Sequence, residues 1–297
     1  MRVASWLLLV SILGCPVLVA GDDPETAAKP ADGTIVVQGH TLHPKTGTVV
    51  VGEQLATLDI PEGLRFFARD EARFIIEKVY HNPEDPDIIG LVTPDDDSAA
   101  NWMTVISYDP ENGHVSDSDA KALDFNALLK DMQEGAVEGN AQRKASGFDT
   151  VELRGWAEPP HYDAATHKLY WAKRLKFSSD KTETLNYSVR VLTRRGVLEM
   201  NTVDDPAQLT AVASAAQKLL AKTTVSPAER YEKFDSSIDK VAIGGIAAVI
   251  AGGVLAKSGL LAVIGKFLIA FIKPVLIGGA FVGGWIWKLI SGRKSDA

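Results

Sequence analysis

The residue types best suited to a metal site lie close together at His161, Asp163 and His167. Two imidazoles and one carboxylate can bind zinc or iron(II). Their spacing matches no helical metal motif, and the segment that carries them is typical of a loop. We therefore prefer to interpret them as surface side chains beside a turn, and we expect the protein to hold no metal and no other cofactor.

A cluster of aromatic residues is the best candidate for a binding groove. Trp156, Tyr162 and Tyr170 lie close in sequence to Arg174, and a proline pair at 159–160 stiffens the connection between them. Aromatic faces beside one cation can bind a peptide or a glycan. The alternative, which we prefer, is a hydrophobic corner that the two prolines hold in place.

No catalytic motif stands out in the sequence. It has no Gly-rich phosphate loop and no Gly-x-Ser-x-Gly sequence around a serine nucleophile. The acidic residues Glu84, Asp85 and Asp87, and those at 95–97, have oxygen ligands that suit calcium, but solvated acidic loops are the preferred interpretation. Two-carboxylate hydrolysis stays open, because any acidic domain offers carboxylate pairs and spacing alone does not choose among them.

The strand predicted at 169–177 has two distinct faces. Its odd positions are apolar except for Lys173, so we expect Trp171 to lie in the core. Tyr170 and Arg174 share the opposite face, which we expect to be exposed or at a sheet edge. Such alternation is typical of an antiparallel sheet.

The periodicity along the chain predicts an α+β domain of mostly antiparallel sheet with a few helices, because strands and helices do not alternate as in a parallel βαβ fold. No internal repeat of about 20–50 residues is visible. The predicted strands cover 46–60 as a hairpin turning near Gly52, then 88–92, 102–108, 151–156, 169–177, 185–192 and 196–203. The predicted helices cover 70–80, 119–145 and 208–222.

Several segments resemble a known family. They are 155–163, 169–173, 185–187 and 194–198, with Tyr231 and Asp239 further on. This pattern is similar to a family of uncharacterised bacterial membrane-anchored proteins, known only as a domain of unknown function, and the likeness covers about residues 45–265. Thr193 stands where we would expect a glycine in that family. The resemblance implies a membrane anchor, and it implies no activity, substrate or functional residue.

Charge divides the chain into an acidic body and a basic C-terminal part. The formal net charge is −7 overall, −13 over residues 22–235 and +5 over residues 236–297. An acidic body repels nucleic acid at long range, so we expect no nucleic-acid partner. The only cysteine is Cys15, so a chain cleaved after it has no disulfide and no thiolate metal site.

The N-terminal residues have the pattern of a cleavable signal peptide. Arg2 precedes an apolar run at 6–19 that is short for a membrane span, and small residues follow it. We predict a signal peptide over 1–21 and a disordered spacer over 22–44. An uncleaved anchor and a lipoprotein cleaved before Cys15 are the alternatives.

The C-terminal part predicts a membrane anchor. The only charges in the apolar stretch 241–290 are four lysines. One transmembrane helix needs about 20 residues, so the length favours a transmembrane helical hairpin within 236–290. The alternatives are one pass with an amphipathic segment and a hydrophobic hairpin buried in a soluble protein. The two helices are predicted at about 239–261 and 268–290, with a tail at 291–297.

Together these features predict an envelope protein whose domain at 45–235 lies outside the cytoplasm, on the periplasmic side of the inner membrane. We expect a non-catalytic interaction or scaffold module whose partners are membrane lipid and another envelope or membrane protein. The alternatives are a membrane-tethered hydrolase that uses carboxylates and an accessory subunit of a transporter. No catalytic residue is predicted, because no recognisable catalytic constellation is present.

Overall fold

The computed structural model describes residues 33–95 and 102–252. Within these ranges the chain has the predicted α+β class, and its paired strands run antiparallel. The strands are β1 (Ile35–Val37), β2 (His40–Leu42), β3 (Gly47–Val51), β4 (Ala56–Ile60), β5 (Leu64–Ala68), β6 (Ile88–Pro94), β7 (Met103–Tyr108), β8 (Val151–Asp163), β9 (Lys168–Phe177), β10 (Thr184–Leu192), β11 (Val197–Asp204) and β12 (Thr223–Val225).

In the described ranges, four α-helices and one π-helical segment accompany the strands. The predicted helix over 70–80 is a short α-helix that continues as a π-helix, in which Tyr80 N donates to Ile75 O at 3.0 Å. Asp124 caps the longest helix by accepting from the backbone N–H of Asn126 at 2.9 Å. The helices are α1 (Arg69–Arg73), the π-helix (Phe74–Val79), α2 (Phe125–Ala145), α3 (Leu209–Ala221) and α4 (Gly245–Ala251).

The centre of the domain is a seven-stranded sheet with the strand order β5-β6-β7-β11-β10-β9-β8. One face of this sheet packs against α3 and a three-stranded sheet with the order β12-β4-β3. Leu185, Val189 and Leu198 of the central strands are fully buried on this face, together with Leu58 of β4. We call it the apolar face, because burial of these side chains drives its packing.

The opposite face carries two separate apolar clusters. One lies at the β8–β9 end of the sheet, where α2 and α4 cover residues such as Trp171 and Phe177. The other lies at the β5–β7 end, where the β1–β2 hairpin, α1 and the π-helix cover residues such as Leu91 and Val105. Polar side chains of the central strands separate the two clusters, so we call this the divided face.

Part of the segment predicted as a disordered spacer, 22–44, has regular structure. Residues 35–42 form the β1–β2 hairpin, in which Val37 is 0% and Leu42 is 2% exposed because both pack in the second cluster of the divided face. The signal peptide predicted over 1–21 lies outside the described residues, as does the first part of the spacer.

The beginning of the predicted anchor packs onto the domain. Residues 239–252 are described, and within them Ile246 and Ile250 of α4 are 1% and 0% exposed in the first cluster of the divided face. Over the two described ranges, the helices fall short of the length and apolar character needed to cross a membrane. The rest of the predicted hairpin and the tail at 291–297 lie outside the described residues.

Candidate ligand-binding site

Charged and polar side chains occupy the middle of the divided face. The strand register places Lys173 of β9, Arg190 of β10 and Glu199 of β11 on this face, together with Ser188 and Asn201. Lys173 is 4% exposed and Arg190 is 5% exposed. Burial of charged groups is costly without compensation, so such a row marks a candidate functional site.

The guanidinium of Arg190 is held in place by several partners. Its Nη2 lies 3.0 Å from Glu199 Oε2, and both Nη1 and Nη2 donate to Asn201 Oδ1 at 3.2 Å. Its central carbon lies 5.0 Å from the ring centre of Trp171, within the range of a cation–π interaction. Burial lowers the pKa of Arg190 and Glu199 opposes that change, but a guanidinium stays protonated. The site therefore holds a fixed positive charge beside a carboxylate.

Lys173 is a second cation, with a different protonation behaviour. It is paired in register with Asn186 of β10 and follows Trp171 on the same face. Burial, with a smaller contribution from the charge of Arg190, lowers the pKa of Lys173 to about 7, although Glu199 opposes both effects. At neutral pH the amine therefore lies between its charged and neutral forms and can donate or accept a proton.

Asp85 lies between the π-helix and β6, and its backbone N–H donates to Glu77 Oε1 at 2.9 Å. Its own Oδ1 accepts from Asp87 N at 2.9 Å. The sequence favours a solvated acidic loop here, but Asp85 is only 6% exposed. Burial, together with smaller contributions from the negative charges of Asp87 and Glu199, raises the pKa of Asp85 to about 7. Asp85 can therefore carry a proton at neutral pH.

Residues 239–252, which we call the C-terminal strap, cross the domain beside this row of charges. His114 N donates to Lys240 O at 2.8 Å, and Ala242 N donates to His114 O at 2.8 Å. Gly113 allows this approach, because a Cβ atom there would lie 2.7 Å from Lys240 O. Its φ of +87° also favours glycine.

Side chains fix the start of the described strap and the start of α4 within it. Arg194 Nε donates to Asp239 Oδ2 at 2.7 Å at its start. The carboxylate of Asp119 caps α4, accepting from Ile246 N at 3.0 Å and from Ala247 N at 3.2 Å. These contacts hold α4 over the polar row.

A cavity of about 130 Å³ lies between the row of charges and the strap. The sheet and the loops beside it supply its polar lining, and α4 supplies apolar side chains. The lining residues used below are Asp85, Asp87, Lys173, Arg190, Glu199 and, from α4, Ala248, Val249 and Ile250.

Two of the aromatic residues that the sequence singled out lie near a different part of the divided face. Tyr162 OH donates to Asp117 Oδ2 at 2.6 Å and lies 3.1 Å from His167 Nδ1, while the His167 ring stacks on Tyr231 with centroids 4.0 Å apart. The hydrogen bond from Tyr162 is the largest effect lowering the pKa of Asp117. Trp156 Nε1 donates to the carbonyl oxygen of Phe125, at the start of α2, at 3.2 Å.

Tyr170 and Arg174, the other two residues of the predicted groove, lie on the apolar-face side of β9. Tyr170 packs at the edge of that core, and Arg174 is exposed with its Nη1 3.7 Å from Glu183 Oε2. The structure thus places the four predicted residues on two sides of the sheet. Whether any of them contacts a ligand stays a prediction.

The weak metal candidates lie around the β8–β9 turn, since β8 continues through the proline pair with register shifts. Asp163 accepts from Ala165 N at 2.9 Å and from Thr166 Oγ1 at 2.6 Å, so its oxygens are hydrogen-bonded within the turn. His161 is exposed, and His167 faces Tyr162. Among the residues that the structure describes, no three His, Cys, Asp or Glu side chains are grouped as metal ligands.

Sequence reasoning missed the charged row as a site. Lys173 gave a visible signal, because it interrupts the apolar positions of its strand. Arg190 gave none, and Asp85 was considered only as part of an acidic loop, since a single charge in a strand or an acidic loop is most often solvated. The antiparallel register of β9, β10 and β11 brings Lys173 and Arg190 to one face, and Asp85, from the loop before β6, lines the same cavity.

The fold and the cavity define an α+β domain with a buried polar pocket under a C-terminal strap. Residues 43–280 match the family described as "Protein of unknown function (DUF2167)", and the chain therefore belongs to that family. No curated protein matches the chain.

Three solved structures show a distant similarity to this chain. The PsbP protein of Synechocystis sp. PCC 6803 (CyanoP) has 10% identity and a TM-score of 0.36, covering 65% of this chain and 94% of its own. The Ran-binding protein Mog1p of Saccharomyces cerevisiae has 11% identity and a TM-score of 0.34, covering 65% and 100%. A protein of unknown function, PA94 of Pseudomonas aeruginosa, has 13% identity and a TM-score of 0.25, covering 61% and 99%.

Proposed function

We propose that this protein is a membrane-anchored envelope protein whose domain lies outside the cytoplasm and acts as a non-catalytic interaction module. The signal-peptide pattern and the apolar stretch 241–290 support this location. The partner is another envelope or membrane protein, which binds at the side of the domain where the strap begins.

The observation that carries the proposal is a group of exposed apolar side chains at that side. Ile238, Val241 and Ile243 are 72%, 54% and 73% exposed. They lie on or just before the strap, which is bonded to the domain and contains the first residues of the apolar stretch. Clustered exposed apolar residues are typical of a protein or membrane contact.

The location is tested with fractionation and protease treatment of spheroplasts. We expect the full chain to stay in the membrane pellet and its domain to be digested from outside. A chain ending at Gly252 keeps the whole described domain and is expected in the soluble fraction. A domain protected from external protease, or a full chain in the soluble fraction, would contradict the proposed location.

The interaction is tested by placing a photo-crosslinking amino acid at Ile243 in cells. Val50, which is 61% exposed on the three-stranded sheet, is the matched control position. We expect a crosslinked protein band from position 243 that position 50 does not give. Lipid adducts alone at position 243 would mean that this surface only rests on the bilayer. A crosslinked transporter subunit would favour the accessory-subunit alternative.

One observation favours a second candidate function, hydrolysis by acid–base chemistry. Asp85 and Lys173 line the same cavity, and burial brings the pKa of each to about 7. Groups with a pKa near the operating pH are effective proton donors and acceptors. We would assay the purified chain with chromogenic esters, phosphates and glycosides. Turnover that is lost in a folded Asp85→Asn variant would support an enzyme, and equal background rates in both proteins would remove this candidate.

A further inference from the structure

The cavity under the strap is polar on the side of the sheet and apolar on the side of α4. Lys173, Arg190 and Glu199 line the polar side, and Val249 and Ile250 of α4 line the apolar side. The volume is about 130 Å³. Because an engineered cavity of about 150 Å³ binds benzene, this one has room for a molecule of about six non-hydrogen atoms.

Three buried hydrogen-bond donors on this face have no acceptor among the described residues. They are the Nε of Arg190, the Nδ2 of Asn186 and the Nε1 of Trp171. Asn186 is paired in register with Lys173, and the Trp171 ring lies under the Arg190 guanidinium. Of the three residues, Arg190 lines the cavity itself, whereas Asn186 and Trp171 lie beside lining residues on the same face. Buried donors are normally satisfied, so the Nε of Arg190 indicates a missing acceptor in the cavity.

Apart from the ion pair between Arg190 and Glu199, the charges around the cavity are separated by sign. The cations Lys173 and Arg190 lie on β9 and β10, whereas Glu199 lies on β11 and Asp85 and Asp87 precede β6. Neighbouring strands lie about 4.8 Å apart, so the positive and negative sides are offset across the sheet. A ligand with one group of each sign finds an opposite charge at both ends.

We propose that the cavity binds a small zwitterion, a molecule of amino-acid size with one carboxylate and one ammonium group. Its carboxylate accepts from Lys173 Nζ and Arg190 Nε. Its ammonium group donates to the carboxylates of Asp85 and Asp87. Its short apolar part contacts Val249 and Ile250 of the strap, so the bound ligand lies between the sheet and the segment that leads to the apolar stretch.

The electrostatics of the site agree with this assignment. Burial raises the pKa of Asp85 to about 7 and lowers the pKa of Lys173 to about 7, so each group is only partly ionised. A zwitterion supplies each with an opposite charge, which favours both ionised forms. The proposal does not depend on where the protein lies in the cell.

The test is thermal unfolding of the purified full chain, in mild detergent, with four probes. L-Alanine and 4-aminobutyrate are zwitterions with different charge separations, and propionate and ethylamine each carry one of the two charges. We expect at least one zwitterion to raise Tm by a few degrees in a saturable way, and the singly charged probes to have no effect. No shift with either zwitterion, or an equal shift with propionate, would overturn the proposal.

Variants locate the binding. We expect Lys173→Met to weaken zwitterion binding by at least about tenfold, because it removes a buried charge partner. Arg174→Met is the matched control: it removes the next-residue cation on the other side of the same strand, and it should bind as the unchanged protein does. Asp85→Asn, which is nearly isosteric, is the second variant and should weaken zwitterion binding similarly. Unchanged affinity in either cavity variant would contradict the assignment.

Discussion

The two faces of the seven-stranded sheet are built by the same strands but differ in what they bury. On the apolar face, β10 and β11 contribute Leu185, Val189 and Leu198 to one continuous core. On the divided face, the alternate positions of the same strands contribute Arg190 and Glu199 to a row of charges between two cores. One face therefore holds the fold together, while the other gives up stability to keep a polar cavity.

We expect the largest loss of stability when a buried side chain of the apolar face is truncated. Leu198 is fully buried, so we expect Leu198→Ala to lower the free energy of unfolding by about 2–5 kcal/mol. Asn186→Ala removes the same number of non-hydrogen atoms from the divided face and should cost less than about 1 kcal/mol, because it also removes an unsatisfied donor. Urea denaturation of both variants measures the difference. Equal losses would mean that the two faces contribute alike.

The divided face should make stability depend on pH, because it carries buried groups that titrate. The pKa of Asp85 rises from 3.8 to about 7 on folding, so the folded state holds a proton that the unfolded state has lost. The Asp85 contribution to stability is full below pH 4 and is lost as the pH rises to 7, by at most about 4 kcal/mol. Asp85→Asn should flatten this slope in unfolding measured at several pH values, and an unchanged slope would assign it to other groups.

Lys173 should show the opposite dependence. Its pKa falls from 10.5 to about 7 on folding, so its charge opposes folding below pH 7 and this cost disappears as the pH rises toward 10.5. We expect Lys173→Met to raise the free energy of unfolding at pH 6 by roughly 1–4 kcal/mol and to have less effect at pH 10. Destabilisation at both pH values would show that interactions of the amine outweigh its burial.

Displacing the strap, which lies beside the row of charges on the divided face, should cost the least stability. Gly113 and Gly147 both have a positive φ, but a Cβ atom meets Lys240 O at 2.7 Å only at Gly113 and meets nothing within 4 Å at Gly147. Both alanine variants carry the same kind of backbone strain, so their difference isolates the displacement of the strap. We expect Gly113→Ala to cost about 1–2 kcal/mol more than Gly147→Ala. Hydrogen exchange at 240–252 should accelerate in Gly113→Ala alone.

Most of the central fold was predictable from local patterns. The hairpin of β3 and β4 and the strands β9, β10 and β11 follow the alternation of their residues, and α3 follows its helical period. The β1–β2 hairpin was missed, because a strand of three residues carries too little pattern. The π-helix after α1 was also missed, because it keeps the apolar spacing of an α-helix over so short a length.

The sequence by itself determined the α+β class, the core positions of the strands, the acidic body and the apolar C-terminal stretch, because each depends on residue type and local period. Only the tertiary structure decided that Asp85, Lys173 and Arg190 line one cavity under α4. They are far apart in the chain, and sheet register brings them together. Their burial, which moves the pKa of Asp85 and Lys173 toward 7, depends on residues from several segments that pack over them.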